Sequence, residues 1–211
     1  MKVILFGAAG RIGAVIADEL AARGHAVTAV YRTESHPADL PPNVKPITGD
    51  AQSAEAVAAA VAGHDAVISA VGPGTGQDPG VIERVAGALV GGLAKANVSR
   101  LIVVGGAGTL EVRPGVMRLD TPEFPEQYRA SGIAQKAALE IYRASGLDWT
   151  YVSPPVLIQP GERRGTYRIG GNAVLYDENG RSHISRADYA CALADILEAG
   201  SNKRSRITVA Y

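Results

Sequence analysis

The stretch Lys2-Val3-Ile4-Leu5-Phe6-Gly7-Ala8-Ala9-Gly10-Arg11-Ile12-Gly13 joins an apolar run of strand type to three glycines spaced three apart. A segment of helical period follows it, over 11–23. Strand, glycine turn and helix in that order form half of a βαβ unit, and the rest of the chain repeats the rhythm. Further strands are predicted over 26–31, 44–47, 66–70, 101–104, 149–152 and 207–210, most of them Val/Ile-rich without polar alternation, as in a sheet covered on both faces. Helices are predicted over 54–62, 80–96, 125–144 and 186–198. Gly24, Gly63, Gly146 and Gly200 stand where C-terminal caps belong, and Ser53 and Ser185 where N-terminal caps belong, with Asp188 as the capping partner of Ser185. The expected architecture is one α/β domain over 1–211, a Rossmann-like, doubly wound and mostly parallel sheet with helices on both faces. Two segments break the rhythm, 106–124 and 154–185, rich in Gly, Pro and Arg. Both follow late strands, where open α/β sheets place ligands, so they are the expected substrate-facing loops.

The glycine spacing has a physical use in this setting. Gly7 permits a tight turn, Gly10 lets the backbone approach a pyrophosphate, and Gly13 lets the helix pack on the strand. The helix start then offers free N–H groups and a positive dipole end to an anion. Gly7, Ala9, Gly10, Arg11, Ile12 and Gly13 are therefore the candidate phosphate-binding residues of a dinucleotide site. An NAD site usually carries an acid at the end of the second strand, where it pairs with the adenosine ribose. Here that strand ends in Tyr31-Arg32, and a guanidinium suits a 2′-phosphate. NADP is expected over NAD, with the alternative that Arg32 is only a solvent-facing charge. Arg11 offers a second positive charge. Asp50 is placed either to accept from the adenine amino group or to serve as an acid at a helix N-terminus.

Composition removes other classes. Lys plus Arg and Asp plus Glu number 21 each, which leaves no excess positive charge for a nucleic-acid backbone or an anionic membrane. No apolar run approaches the length of a membrane span. The single cysteine, Cys191, forms no internal disulfide and reads as a packing residue, and Met1 leads directly into a strand-like run; a cytoplasmic setting is expected. His25, His36, His64 and His183 are not spaced as a metal site. No Gly-x-Ser-x-Gly elbow supports a hydrolase.

Taken in order, the segments Gly7–Gly13, Gly49-Asp50, Ser69-Ala70-Val71-Gly72, Val103-Val104-Gly105-Gly106-Ala107-Gly108, Gln135-Lys136-Ala137-Ala138-Leu139-Glu140, Trp149–Pro155 and Ile184–Ala190 resemble the short-chain dehydrogenase/reductase superfamily. Within it the chain is most similar to the atypical branch of flavin reductase/biliverdin reductase B and NmrA-type proteins. The resemblance assigns Ala70, Val71 and Gly72 to the ribose and pyrophosphate of the cofactor, and Ser153, Pro154 and Pro155 to its nicotinamide amide. It also implies a Tyr-x-x-x-Lys pair and a Ser or Thr after the fifth strand. Lys136 is retained, as ribose anchor or plain surface lysine, with Glu140 as its neighbour one turn on. Gly132 stands at the tyrosine position, and the first hydroxyl after the strand is Thr109. Tyr128, one turn before Gly132, is the candidate substitute, with a packing or surface role as its alternative. Without the usual acid, the implied activity is NADPH-dependent hydride transfer to a small conjugated acceptor such as a flavin, quinone or tetrapyrrole, which takes its proton from water. The alternatives are a dinucleotide-binding sensor without turnover and a sugar-nucleotide epimerase or dehydratase.

Overall fold

The computed structural model describes residues 1–73 and 78–211. Its centre is an eight-stranded sheet built from β1 (Lys2–Phe6), β2 (Ala26–Tyr31), β3 (Val44–Thr48), β4 (Ala66–Ser69), β5 (Arg100–Val104), β8 (Asp148–Ser153), β10 (Arg168–Gly170) and β12 (Ser205–Ala210). The spatial order is β10-β12-β8-β5-β4-β1-β2-β3, all parallel except β10, which runs antiparallel to β12. The strand order reverses at β1, whose neighbours are β2 and β4. Open α/β sheets leave a crevice at such a switch point, beyond the carboxyl ends of the strands.

Alternate side chains explain the two faces. Val3 and Leu5 of β1 join α1 (Gly13–Ala22) and α5 (Arg186–Ala199) in one core. Ile4 and Phe6 face the other way, into a core shared with α2 (Ala54–Val61), α3 (Val81–Ala96) and α4 (Arg129–Arg143). The interior of β1 is thus apolar on both sides, and burying each such side chain contributes about 1.5–3 kcal/mol.

Local signals set the ends. Ser53 Oγ accepts from Ala56 N at 3.2 Å, and Ser185 Oγ from Asp188 N at 2.9 Å. Gly24, Gly63 and Gly200 take positive φ after α1, α2 and α5. Gly146 does not; α4 closes on Ala144, and it starts at Arg129, after a 3-10 turn over Glu126–Tyr128. The left-handed cap of α3 is Asn97, with φ of 55°. The Ser185–Asp188 pair caps in one direction only, because Ser185 N donates to the Tyr211 hydroxyl.

The two expected loops are more structured than their composition indicated. Residues 106–124 hold a small hairpin, β6 (Glu111–Arg113) and β7 (Val116–Met117), and 154–185 hold β9 (Leu157–Gln159), β10 and β11 (His183–Ser185), with β9 and β11 parallel. Part of the second segment turns away from the crevice and straps α1 to α5. The Arg163 guanidinium grips the Glu19 carboxylate at 2.9 Å through two nitrogens, and Asp188 accepts from Arg164 N (2.9 Å) and Gly165 N (2.7 Å). Burial alone would raise the Asp188 carboxyl, but these donors, with the hydroxyls of Tyr211 and Ser185, hold it below its usual value. Asp188 is a structural hub, as its capping position implied.

Candidate cofactor-binding and active site

The glycine turn is locked by the backbone. Gly7 adopts φ of +84°, and a Cβ there would lie 2.7 Å from the carbonyl carbon and oxygen of Ala70. A Cβ on Gly13 would lie 2.1 Å from Gly7 O. Gly10 differs: its added Cβ would meet only Gly7 O, at 3.2 Å, and its N–H donates to that oxygen at 3.0 Å. The fold thus demands the first and third glycines, while the second borders space that a side chain would fill. Ala9, Gly10 and Arg11 are exposed and Ile12 is half-buried. Among the described residues no side chain caps the start of α1 and no acid lies in its first turn. The positive helix end is therefore open to an anion, and the cradle fits a pyrophosphate. Gly7 rests on Ala70 and Val71, which brings the turn together with the segment after β4; a Cβ on Gly72 would meet nothing within 4 Å among the described residues.

Arg32 and Asp50 meet at the ends of β2 and β3, where they line one cavity with Thr48, Gly49 and Gln52. Among the described residues Arg32 makes no hydrogen bond or ion pair, so its guanidinium has donors to offer. Asp50 Oδ1 accepts from Gln52 N at 2.9 Å, which turns the chain into α2. It therefore braces the turn and faces the cavity at once.

Ser153, Pro154 and Pro155 are buried at the end of β8. The two prolines carry no N–H, so their backbone presents carbonyls only. Ser153 Oγ lies 3.4 Å from Thr109 Oγ1, and the Thr109 hydroxyl donates to Gly106 O at 2.9 Å. The glycines before Thr109 have packing reasons. A Cβ on Gly105 would come within 2.1 Å of the Tyr151 ring, one on Gly106 within 3.0 Å of Gln135 and one on Gly108 within 3.2 Å of Phe124.

The position of the expected tyrosine is sealed. Gly132 is buried, and a Cβ there would meet Leu119 Cδ1 at 2.8 Å and Phe124 Cζ at 3.4 Å. Both come from 106–124, the segment expected to face substrate. Phe124 is held between guanidinium groups, Arg118 at 5.1 Å and Arg129 at 5.9 Å from its ring centroid, and Arg129 also donates to Leu119 O at 3.1 Å. Tyr128 is 56 % exposed, on the turn that precedes α4. Lys136 Nζ lies 3.8 Å from an Asp120 carboxylate oxygen, both side chains about half exposed. Glu140 is not its partner, since it accepts from Arg143 at 2.6 Å.

Sequence reasoning missed Gln135, Tyr151, Asp120, Leu119 and Phe124. The Tyr151 hydroxyl donates to Gln135 Oε1, and burial pushes its phenol well above the ordinary value, beyond what Gly106, Arg206 and Thr109 bring down. It stays a neutral donor. Nothing in the spacing marks this pair, because it joins a helix to a strand through side chains alone.

Cys191 is buried and accepts from Arg23 at 3.1 Å, with burial raising its thiol, so it is not an activated nucleophile. Among the described residues no group of three or more His, Cys, Asp or Glu is positioned to hold a metal ion, and no helix is long and apolar enough to cross a membrane.

Comparison with known proteins agrees with this arrangement. Residues 7–199 match a family described as NAD(P)H-binding. A crystal structure from Burkholderia pseudomallei, of a protein provisionally described as exported, is 45 % identical, with TM-score 0.91 and 100 % coverage of both chains. A provisionally named epimerase from Bacteroides thetaiotaomicron is 35 % identical, with TM-score 0.91, covering 100 % of this chain and 96 % of its own. A Streptococcus pneumoniae protein provisionally named an NADH-flavin reductase is 36 % identical, with TM-score 0.89, covering 100 % and 99 %.

Proposed function

The chain belongs to the NAD(P)H-binding family, and from that premise we propose that it is an NADPH-dependent reductase of a small conjugated acceptor, of the flavin, quinone or tetrapyrrole type. When bound, the dinucleotide supplies the hydride. The backbone of Gly7, Ala9, Gly10, Ile12 and Gly13, with the start of α1, would hold the pyrophosphate, and Ala70, Val71 and Gly72 would line its other side. Arg32 takes the 2′-phosphate, Arg11 adds charge beside it, and Asp50 accepts from the adenine. Lys136 holds the nicotinamide ribose. Ser153, Pro154 and Pro155 close around the nicotinamide amide.

One observation carries the choice of acceptor: Leu119 and Phe124 pack over Gly132, the position at which the resemblance expects the tyrosine, so closely that even an added Cβ would meet them. Ketone reduction needs a proton donor matched to an alkoxide, whereas a conjugated ring delocalises the charge and takes its proton from solvent. The residues around the ring then orient it and exclude water from the hydride path.

The test is NADPH consumption with a panel of flavins, quinones and simple ketones. Turnover with the conjugated acceptors and none with ketones is expected; ketone reduction at comparable rates overturns the proposal. Tight cofactor binding without turnover on any acceptor would identify a dinucleotide-binding sensor, the reading that the sealed Gly132 position also favours. The proposed partner is the small acceptor and not nucleic acid or membrane, since positive and negative charges balance. The proposed compartment is the cytoplasm, on the single buried Cys191. Cell fractionation checks it, and recovery of the protein outside the cytoplasm would refute it.

A further inference from the structure

A second cavity lies at the start of β8 and β12, the opposite end of the parallel strands from the glycine turn. It has a volume of about 500 Å³ and is lined by Arg143, Ser145, Trp149, Asn172, Arg204, Ser205 and Arg206. Three arginines and, among the described residues, no acid line it. From this lining we propose a second binding site, for a phosphate group, distinct from the dinucleotide site.

Arg143 and Arg204 are held by the fold without being exhausted by it, whereas Arg206 already engages all three of its nitrogens. Arg206, whose side chain is only 2 % exposed, donates to Asn172 Oδ1 at 3.0 Å and to Thr109 O, and lies 3.7 Å from Glu111. Arg143 donates to Glu140 at 2.6 Å. Arg204 donates to Gly146 O at 3.3 Å and stands 3.8 Å from Asp148, which Lys203 also approaches at 3.3 Å. The acids Glu111, Glu140 and Asp148 reach these cations from outside the lining. A guanidinium carries five N–H donors in a fork that matches two phosphate oxygens. Arg143 and Arg204 spend few of theirs among the described residues. Burial first, and then the positive charge of Arg143, depress the titration of Arg206; an anion between them would relieve that repulsion. The volume exceeds a bare phosphate and falls within the usual range of small-molecule sites. Trp149, Ser145 and Ser205 offer a neutral wall for the rest of a phosphate monoester.

The site has its own reporter, because Trp149 is the only tryptophan in the chain. Inorganic phosphate and glycerol phosphate are titrated separately against its fluorescence, with sodium chloride at matched ionic strength as control. A saturable change with either phosphate and none with chloride is expected. The Arg143→Gln/Arg204→Gln double variant should weaken the response about tenfold or more; both side chains are largely solvent-facing, and circular dichroism checks that the fold is kept. Tighter binding of glycerol phosphate would identify a monoester as the ligand, and tighter binding of inorganic phosphate the free ion. No response, an equal response to chloride, or an unchanged response in a folded double variant overturns the proposal.

Discussion

The turn at Gly7–Gly13 and the α4 surface around Gly132 both depend on glycines under pressure, and they differ in what presses. At Gly7 and Gly13 the neighbour of an added Cβ is backbone, at 2.7 and 2.1 Å, so nothing nearby can yield. At Gly132 the nearest neighbour is the tip of Leu119, at 2.8 Å, a flexible side chain carried by an irregular segment. One half of the site is built by the chain's own path. The other is built by a plug that happens to lie on it, and plugs can change while the turn cannot. A family could keep its cofactor and vary its acceptor in this way.

The sharpest way to break that comparison is to substitute within the turn itself. Gly13→Val should cost about 3 kcal/mol or more, lowering Tm by roughly 6–12 °C, because the strain falls on backbone. Gly10→Val should leave circular dichroism and Tm near normal and remove nucleotide binding in titration calorimetry. If Gly13→Val keeps the parent Tm, the turn is not locked; if Gly10→Val keeps its affinity, the cradle does not hold the pyrophosphate.

On the plugged side, Gly132→Tyr should cost about 1–3 kcal/mol by overpacking against Leu119 and Phe124. It should not confer ketone reduction, since the ring cannot take its place without moving the plug. A stable Gly132→Tyr enzyme that reduces ketones would show that the segment over α4 is no obstacle.

Arg32→Asp should weaken NADP relative to NAD by about 1–3 kcal/mol, the scale of charge-assisted hydrogen bonds. Equal affinity of the parent for both dinucleotides would sink the assignment. The smallest effect is expected at Tyr128→Phe, with kcat almost unchanged, because the proposed reaction takes its proton from solvent and Tyr128 stands exposed on the turn before α4. A dedicated acid is worth about 100-fold to 10,000-fold, so a loss on that scale with cofactor affinity intact would place Tyr128 in the reaction.

The same contrast explains what could be read from the residues alone. Strands β1 to β5, β8 and β12 and all five helices were legible because apolar period and local caps determine them. The path of the glycine turn was legible because missing side chains at fixed spacing set it, and the nearness of Arg32 to Asp50 because strand ends converge in a parallel sheet. The interior of 106–124 and 154–185 was not: β6 and β7 form a hairpin of only two or three residues a side, and β9, β10 and β11 are three residues long and exist by pairing with distant partners. The seal over Gly132, the Tyr151–Gln135 bond and the Arg163–Glu19 strap are likewise tertiary. Gly146 misled for a related reason, since α4 ends through Ala144 and Ser145 before reaching it.

The edges of the eight-stranded sheet bear on solubility. A parallel sheet that ended on β12 would present a six-residue row of unpaired amides and carbonyls, a template for another chain to extend. Instead β10 covers that row with three antiparallel residues, and its Arg168 guanidinium turns back onto the carbonyls of Tyr176 and Tyr211. The opposite edge, β3, carries Pro46 at its centre, a residue with no N–H to donate. One edge is thus shortened to three residues and the other interrupted by a proline. The strap between α1 and α5 leads directly into β10, so its anchoring by Glu19 and Asp188 also fixes the strand that covers the edge of β12.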